Sequence, residues 1–278
     1  MRYGNLTERN SFRLHFNDMM DIDIGFLKKI ALSAGAYIKS KRPSEAEIQS
    51  KEGRGNFVTV HDKAVQDMLY DALRKEYPGC GFLGEEDETH CGILPDRCFI
   101  IDPIDGTQNF INGYSHSAVS IAYAEHGVQK AGVVYDPYLD ELFYAEDGKG
   151  AFLNGDPISV SGRALRDSIV LFGISPYYEG YGEKSFRILR RLYENACDVR
   201  NSGSAALDIC YVASAKADVF FELKLSPWDY AAAGLILKEA GGVIKNCEGG
   251  EISLIKGGSV LCASEETMEK ISRMAAET

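Results

Sequence analysis

A layered α/β fold is what this sequence predicts, and three observations carry that reading. Amphipathic helical stretches follow the first eighteen residues. Strands and turns then recur at roughly 10-residue intervals from Ser117 to Phe152, and from Ile169 onward strands and helices alternate. The expected arrangement is an α-β-α-β-α sandwich with mixed and antiparallel sheets. Its 278 residues suffice for a single large domain, expected to form two lobes at residues 19–165 and 166–278.

The elements follow in order. Residues 1–18 are polar and aperiodic and read as a loose extension, of the kind an upstream start codon would add. Phe26, Leu27, Ile30, Ala31, Ala34 and Ile38 then share one helical face. Residues 50–58 are glycine-rich and charged and read as a mobile loop. A second helix should turn Val65, Met68, Leu69, Ala72 and Leu73 inward and stop at Pro78-Gly79. Cys98 to Ile101 is a short apolar run ending at Asp102, a buried strand. Turn signals at Glu125-His126-Gly127, Asp136-Pro137 and Asp147-Gly148 make Ser117–Phe152 an antiparallel meander. The second half predicts a strand at Ile169–Phe172, helices at Ser185–Tyr193 and Ser204–Ala215, and a strand at Val219–Glu222. It continues with a helix from Pro227 to Ala240, a strand at Val260–Ala263, and a last helix capped by Ser264.

Composition excludes several functions. No run is long and apolar enough to cross a membrane, and no secretory signal stands at the N-terminus, so a cytoplasmic protein without a membrane partner is expected. Seven scattered cysteines without a C-x-x-C pair fit free thiols in a reducing compartment. Thirty basic residues against 41 acidic ones give −11 and no basic stripe, so no nucleic-acid partner is expected. Serine-hydrolase and P-loop signatures are absent, and the five histidines lack metal-ligand spacing and read as surface or hydrogen-bonded groups. Acidic residues can still serve an anionic substrate if they first hold divalent cations.

Four acidic spots lie at element ends. Asp102-Pro103-Ile104-Asp105-Gly106-Thr107 places two carboxylates at a strand end, followed by Gly-Thr opening a helix whose free N–H groups suit an anion. Gly84-Glu85-Glu86-Asp87-Glu88 could be a solvated charge run. Ser226-Pro227-Trp228-Asp229 and Thr59-Val60-His61-Asp62 could each be simple helix caps. Oxygen ligands with few histidines favour Mg²⁺, with Mn²⁺ as the alternative, over Zn²⁺.

Together these segments resemble the inositol monophosphatase family, within the superfamily that includes fructose-1,6-bisphosphatases. The resemblance spans roughly residues 24 to 275 and rests on D-P-[IL]-D-G-[ST] at Asp102–Thr107, on W-D-x-A-A at Trp228–Ala232 followed by Glu239-Ala240-Gly241-Gly242, and on Gly84-Glu85-Glu86. It implies the sugar-phosphatase fold, a homodimer, lithium sensitivity, and Mg²⁺-dependent hydrolysis of a small polyol or sugar phosphate. The substrates it implies are inositol 1-phosphate and, second, fructose 1,6-bisphosphate. A 3′-phosphoadenosine 5′-phosphate phosphatase is the rival in the superfamily, and a non-catalytic regulatory protein on the same fold is the rival of another class.

The resemblance also implies residue roles. Glu85, Asp102 and the Ile104 carbonyl would hold one cation; Asp102, Asp105 and Asp229 a second; and Glu85 with Glu86 a third, giving two to three per site. Gly106 and Thr107 would meet the phosphate, while Thr107 and Asp62, with Glu85, would position or activate the water. Gly203, Ser204, Ala205, Glu222, Asp105 and Asp229 would contact substrate, and Lys51 belongs to the family's mobile loop, a lid over the cations. Arg54, Arg200, Lys224 and Tyr177-Tyr178 are candidates for shaping the pocket. One position departs from the pattern: where the family's loop motif often starts with Asp, this chain has Asn56, and the lost carboxylate should weaken the third cation.

Overall fold

The computed structural model describes residues 20–53, 55–87, 92–176 and 178–276. The expected extension at residues 1–18, and Arg54, Glu88, His90, Cys91 and Tyr177, lie outside the described residues. The helices are α1 (Ile24–Lys39), α2 (Val60–Glu76), α3 (Thr107–Asn112), α4 (Tyr181–Asn195), α5 (Ala205–Ala213), α6 (Pro227–Glu239) and α7 (Glu265–Ala276). The strands are β1 (Ile48–Ser50), β2 (Phe57–Thr59), β3 (Gly81–Gly84), β4 (Arg97–Asp105), β5 (Ala118–Glu125), β6 (Val128–Asp136), β7 (Glu141–Glu146), β8 (Ala151–Leu153) and β9 (Asp156–Ile158). The second half adds β10 (Ile169–Phe172), β11 (Asp198–Arg200), β12 (Val219–Leu225), β13 (Val243–Lys245) and β14 (Gly258–Ala263).

The alternation of side chains along each strand builds the layers. In β4, Cys98 and Ile100 face one core while Phe99 and Ile101 face another; in β5, Ala118, Ala122 and Ala124 oppose Val119, Ile121 and Tyr123 in the same way. One side of this sheet is covered by α1 and α2, through Leu27, Ile30, Ala31, Ile38, Val65, Leu69 and Leu73. The other side is covered by α5 and α6, which also take Phe220, Val260 and Cys262 of the second sheet. The far face of that second sheet, Val219, Phe221, Leu223, Leu261 and Ala263, packs on Ile188 and Leu192 of α4 and Met268 and Ile271 of α7. The result is the α-β-α-β-α sandwich expected from the sequence, with α5 and α6 as the shared middle layer.

The first sheet runs β3-β4-β5-β6-β7-β8-β9, antiparallel except for the parallel β3–β4 pair; the second runs β11-β10-β12-β14-β13, with β10 parallel to both neighbours. Small residues let α6 approach closely: a Cβ on Gly132 of β6 would stand 2.7 Å from the Ala232 carbonyl oxygen.

Several expectations need correction. Met68 does not turn inward but is 36% exposed; the buried stripe of α2 is Val65, Gln66, Leu69, Tyr70 and Leu73. Gln66 and Tyr70 are drawn in because both hydrogen-bond the Asp87 carboxylate at the end of the neighbouring turn. Residues 50–58 are not a loop throughout: Ser50, Phe57 and Val58 belong to the β1–β2 hairpin, with Ser50 opposite Phe57. Nor does the first acidic motif follow a strand as a turn. It is the last part of β4, whose pairing with β5 slips between Asp102 and Asp105. Among the described residues the cysteines are free thiols, with Cys98, Cys210, Cys247 and Cys262 buried and Cys197 exposed. No described helix is long and apolar enough to cross a membrane.

Candidate metal and phosphate site

The irregularity in β4 creates the site. Residues three apart in a regular strand point to opposite faces. Here the extra residue of a bulge reverses the alternation, so that Asp102 keeps the phase of Cys98 and Ile100, while Ile104 is returned to the core below α1 and α2. Asp105 thereby joins Asp102 on the face that looks toward α5 and α6. Pro103 sits inside the bulge, where no ladder N–H is required.

Asp229 arrives from a different element. Ser226 caps α6, Pro227 occupies its first turn, and the Ser226 N–H donates to Asp229 Oδ2 at 2.7 Å. The cap reading of this segment is therefore correct, yet the same carboxylate reaches the β4 pair: oxygens of Asp102, Asp105 and Asp229 lie within 4.8 Å of one another. Asp105 is tied down similarly, with Oδ2 accepting from the Ala206 N–H at 2.8 Å and from the Ser204 hydroxyl at the start of α5. Asp102 Oδ1 accepts the Ile104 N–H at 3.0 Å. Glu85 stands beside them, in the turn after β3, its own N–H held by the Ile101 carbonyl at 3.1 Å.

Asp62 lies just behind. In the capping box of α2 its Oδ2 accepts from the Thr59 N–H (2.8 Å) and hydroxyl (2.6 Å). Its Oδ1 is 3.1 Å from Thr107 Oγ1, which is also 3.1 Å from the Ile104 carbonyl oxygen. Gly106, at φ +91°, precedes Thr107 at the N-terminus of α3, and a Cβ there would stand 3.1 Å from the Gly203 carbonyl oxygen. Only glycine suits both the left-handed conformation and the close approach.

These groups open onto one cavity of about 650 Å³. Of the residues singled out from the sequence, Lys51, Glu85, Asp102, Ile104, Asp105, Gly106, Thr107, Gly203, Ser204, Ala205, Glu222 and Asp229 line it, as do Lys224 and Tyr178. Asp62 and Glu86 stand behind its wall. Arg200 does not line it; its guanidinium pairs with Asp198 at 2.7 Å on the surface. His61 is spent on Tyr37 Oη at 3.0 Å, and His126 is exposed.

Sequence reasoning did not find Ser175, whose N–H and hydroxyl fix Glu222 Oε1 at 3.1 and 2.9 Å. It also did not find Asn109, whose Nδ2 bridges the carbonyls of His116 and Ser202 at 2.8 Å each and so locks α3 to the turn before α5. The Ser175–Glu222 and Asn109–Ser202 contacts span tens of residues and leave no local pattern. The Gln66–Tyr70 pair, four apart on α2, did leave one.

Electrostatics indicate what the cluster can hold. Burial, followed by the neighbouring carboxylates, raises Asp102 and Asp229 well above the usual carboxylate range. Burial raises Asp105 to about 6, against the donors of Ser204 and α5. Burial likewise raises Glu85, Asp62 and, to about 7, Glu86 and Glu222. Lys51 reaches the carboxylates beside the cluster, with Nζ 3.1 Å from Glu85 and 2.6 Å from Glu86. Converging buried carboxylate oxygens, without histidine or thiolate, fit a hard divalent cation, which would replace mutual repulsion with attraction.

Comparisons with known proteins show what the chain is similar to. The family model for the inositol monophosphatase family matches residues 20–277. The Nus factor SuhB of Salmonella typhimurium (strain LT2) is 40% identical over 234 residues, covering 84% of this chain and 88% of that protein. The inositol-1-monophosphatase of Mesorhizobium japonicum is 36% identical over 244 residues, covering 87% and 91%. The solved structure of an IMPase from Thermotoga maritima superposes with a TM-score of 0.81 at 32% identity, covering 91% of this chain and 96% of that one.

Proposed function

The chain belongs to the inositol monophosphatase family, and on that premise we propose that it hydrolyses the phosphate monoester of a small polyol or sugar with the help of Mg²⁺. Inositol 1-phosphate is the first candidate substrate and fructose 1,6-bisphosphate the second. The observation that carries this reading is the convergence of Asp102, Asp105 and Asp229 opposite the N-termini of α3 and α5 in one cavity.

Asp102, Asp105, Asp229, Glu85 and the Ile104 carbonyl would hold the cations, with Asp102 central between the Glu85 and Asp229 sides. Bound there, divalent cations supply the Lewis acidity that lowers the pKa of a water and neutralises charge on the ester. The chain's own residues supply position. Gly106 and Thr107 present the first N–H groups of α3 to the phosphate oxygens. The Thr107 hydroxyl, 3.1 Å from Asp62 Oδ1, orients the attacking water and passes its proton toward Asp62. Burial makes that carboxylate a stronger base than an exposed one. Glu222, held by Ser175 on the opposite side of the cavity, accepts from substrate hydroxyls.

A phosphate-release panel tests the proposal: inositol 1-phosphate, fructose 1,6-bisphosphate, 2′-AMP and 3′-phosphoadenosine 5′-phosphate, each with Mg²⁺ and with chelator. Metal-dependent turnover of inositol 1-phosphate is expected, preference for the last compound would move the assignment to the rival nucleotide phosphatase, and no turnover of any would refute catalysis. A homodimer is proposed on the family's pattern, to be checked by sedimentation.

A second function is favoured by the relatives named Nus factor SuhB. The expectation of no nucleic-acid partner rested on net charge and the lack of a basic stripe, and is not carried forward against those names. A factor role asks nothing of the carboxylates, so Asp102→Asn should still capture whatever protein or nucleic-acid partner wild type captures after cross-linking in cells. Loss of that capture together with activity would refute the separation.

A further inference from the structure

Glu85 and Glu86 form a second pair of carboxylates beside the Asp102 cluster, and one side chain faces both. Lys51 Nζ lies 3.1 Å from Glu85 Oε1 and 2.6 Å from Glu86 Oε1, with the three side chains 24%, 21% and 4% exposed. Both partners are held in place. Lys51 directly follows β1, and its N–H donates to the Asn56 carbonyl at 2.8 Å across the β1–β2 turn. The Glu86 N–H donates to Gln66 Oε1 at 3.0 Å. Gln66 and Tyr70 together grip Asp87, which takes the Gly84 N–H at 2.8 Å. The turn is pressed so closely on α2 that a Cβ on Gly84 would stand 2.3 Å from Tyr70 Oη.

Asn56 completes the picture. It stands where the family's loop motif often has Asp, and its Nδ2 donates to the Glu52 carbonyl at 3.0 Å inside the hairpin turn. Its side chain is spent locally, so a third divalent cation would find one carboxylate fewer and an ammonium already seated on the other two. Mg²⁺ requires a near-octahedral set of oxygens at about 2.0–2.1 Å, and a lysine ammonium in that space repels it.

We propose that, with Asn56 in place of the loop's usual carboxylate, the Lys51 ammonium stands in for a third cation, so that only the Asp102 cluster and Glu85 take divalent ions. The inference rests on the reading of the site given under Proposed function and makes it more specific. It also means that the β1–β2 hairpin is drawn over Glu85 by the protein's own charge, without a metal to bridge it.

Mn²⁺ alone is the probe, counted on the full chain by electron paramagnetic resonance of the unbound ion. Wild type is expected to bind about two Mn²⁺, Lys51→Gln one more, and Lys51→Arg, which keeps the charge, the same number as wild type. Asn56→Asp serves as a second route should Lys51→Gln not fold, and by restoring a carboxylate it is also expected to add one Mn²⁺. Three Mn²⁺ on wild type, or no additional ion on the folded Lys51→Gln and Asn56→Asp chains, would overturn the substitution while leaving the phosphatase reading intact. A wild type that binds no Mn²⁺ would overturn both.

Discussion

Replacing Asp105 with Asn should make the metal-free protein more stable while removing its response to Mg²⁺. Asp105 is 7% exposed, and its carboxyl is raised to about 6, first by burial. An unfolded Asp titrates near 3.9, and each pKa unit corresponds to about 1.4 kcal/mol. A raised folded-state pKa contributes stability that is fully present below the unfolded pKa and is lost as pH rises through the folded one. In chelator at pH 8 the ionised carboxylate therefore costs up to about 3 kcal/mol, and at pH 5 about half of that. Asn carries no such cost. Its amide oxygen can keep the Ala206 N–H and Ser204 hydroxyl donors, and its NH₂ can point toward Asp102 and Asp229. Because neighbouring carboxylates share protons, the gain should fall between about 1 and 3 kcal/mol. For a chain of this size that is a rise in Tm of roughly 2–5 °C. Thermal unfolding in chelator at pH 8 and pH 5, and again with Mg²⁺, checks it. The expected order inverts in Mg²⁺, where wild type is stabilised by binding and the variant is not. An Asp105→Asn protein less stable than wild type at pH 8 in chelator, or a difference independent of pH, would refute the electrostatic account of the site.

Three further outcomes are expected. Asp102→Asn should abolish turnover while leaving the circular dichroism spectrum unchanged, and more than about a tenth of wild-type activity at saturating Mg²⁺ would sink the shared-ligand assignment. Thr107→Ala should lower kcat by about 10²–10⁴, the range for lost proton-transfer assistance, with Mn²⁺ affinity retained; a change confined to KM would mean that the hydroxyl only binds phosphate. Li⁺ in the millimolar range should inhibit by competing for the weaker cation position, and an activity curve unaffected by Li⁺ would remove that part of the family likeness.

How much was legible in the sequence depended on the range of the cause. Helical faces and strand runs are local, so α1, α6 and the meander could be read from spacing, and the acidic motifs could be read because each sits at an element end. Met68 was misassigned because the period of α2 allows two adjacent stripes, and the choice between them is made by Asp87, a residue 19 positions away. The β1–β2 hairpin was missed because three-residue strands carry no period. The slip in β4 was missed for a similar reason: Asp102 and Asp105 look like a turn until the pairing with β5 shows where the extra residue goes. Ser175 and Asn109 act only through contacts made in three dimensions.

Two of the acidic spots had plausible readings as plain helix caps, and in the structure each capping carboxylate also reaches the candidate site. Asp62 Oδ2 closes the capping box of α2, leaving Oδ1 for Thr107; Asp229 Oδ2 takes the Ser226 N–H at the start of α6; Asp105 Oδ2 takes the first N–H groups of α5. Each carboxylate thus has one oxygen anchored at a helix N-terminus. An N-terminus attracts negative charge, typically by about 0.3–1 kcal/mol and up to about 2 kcal/mol when partly buried. That offsets part of the repulsion within the cluster before any cation arrives, and it fixes the position of each carboxylate. Helix starts thus anchor Asp62, Asp105 and Asp229, whereas Asp102, which takes the Ile104 N–H, and Glu85 are placed without one. Replacing Asp62 or Asp229 should accordingly cost helix stability of about 1 kcal/mol as well as chemistry, whereas Glu85, which caps no helix, should show the chemical loss with little of the structural one.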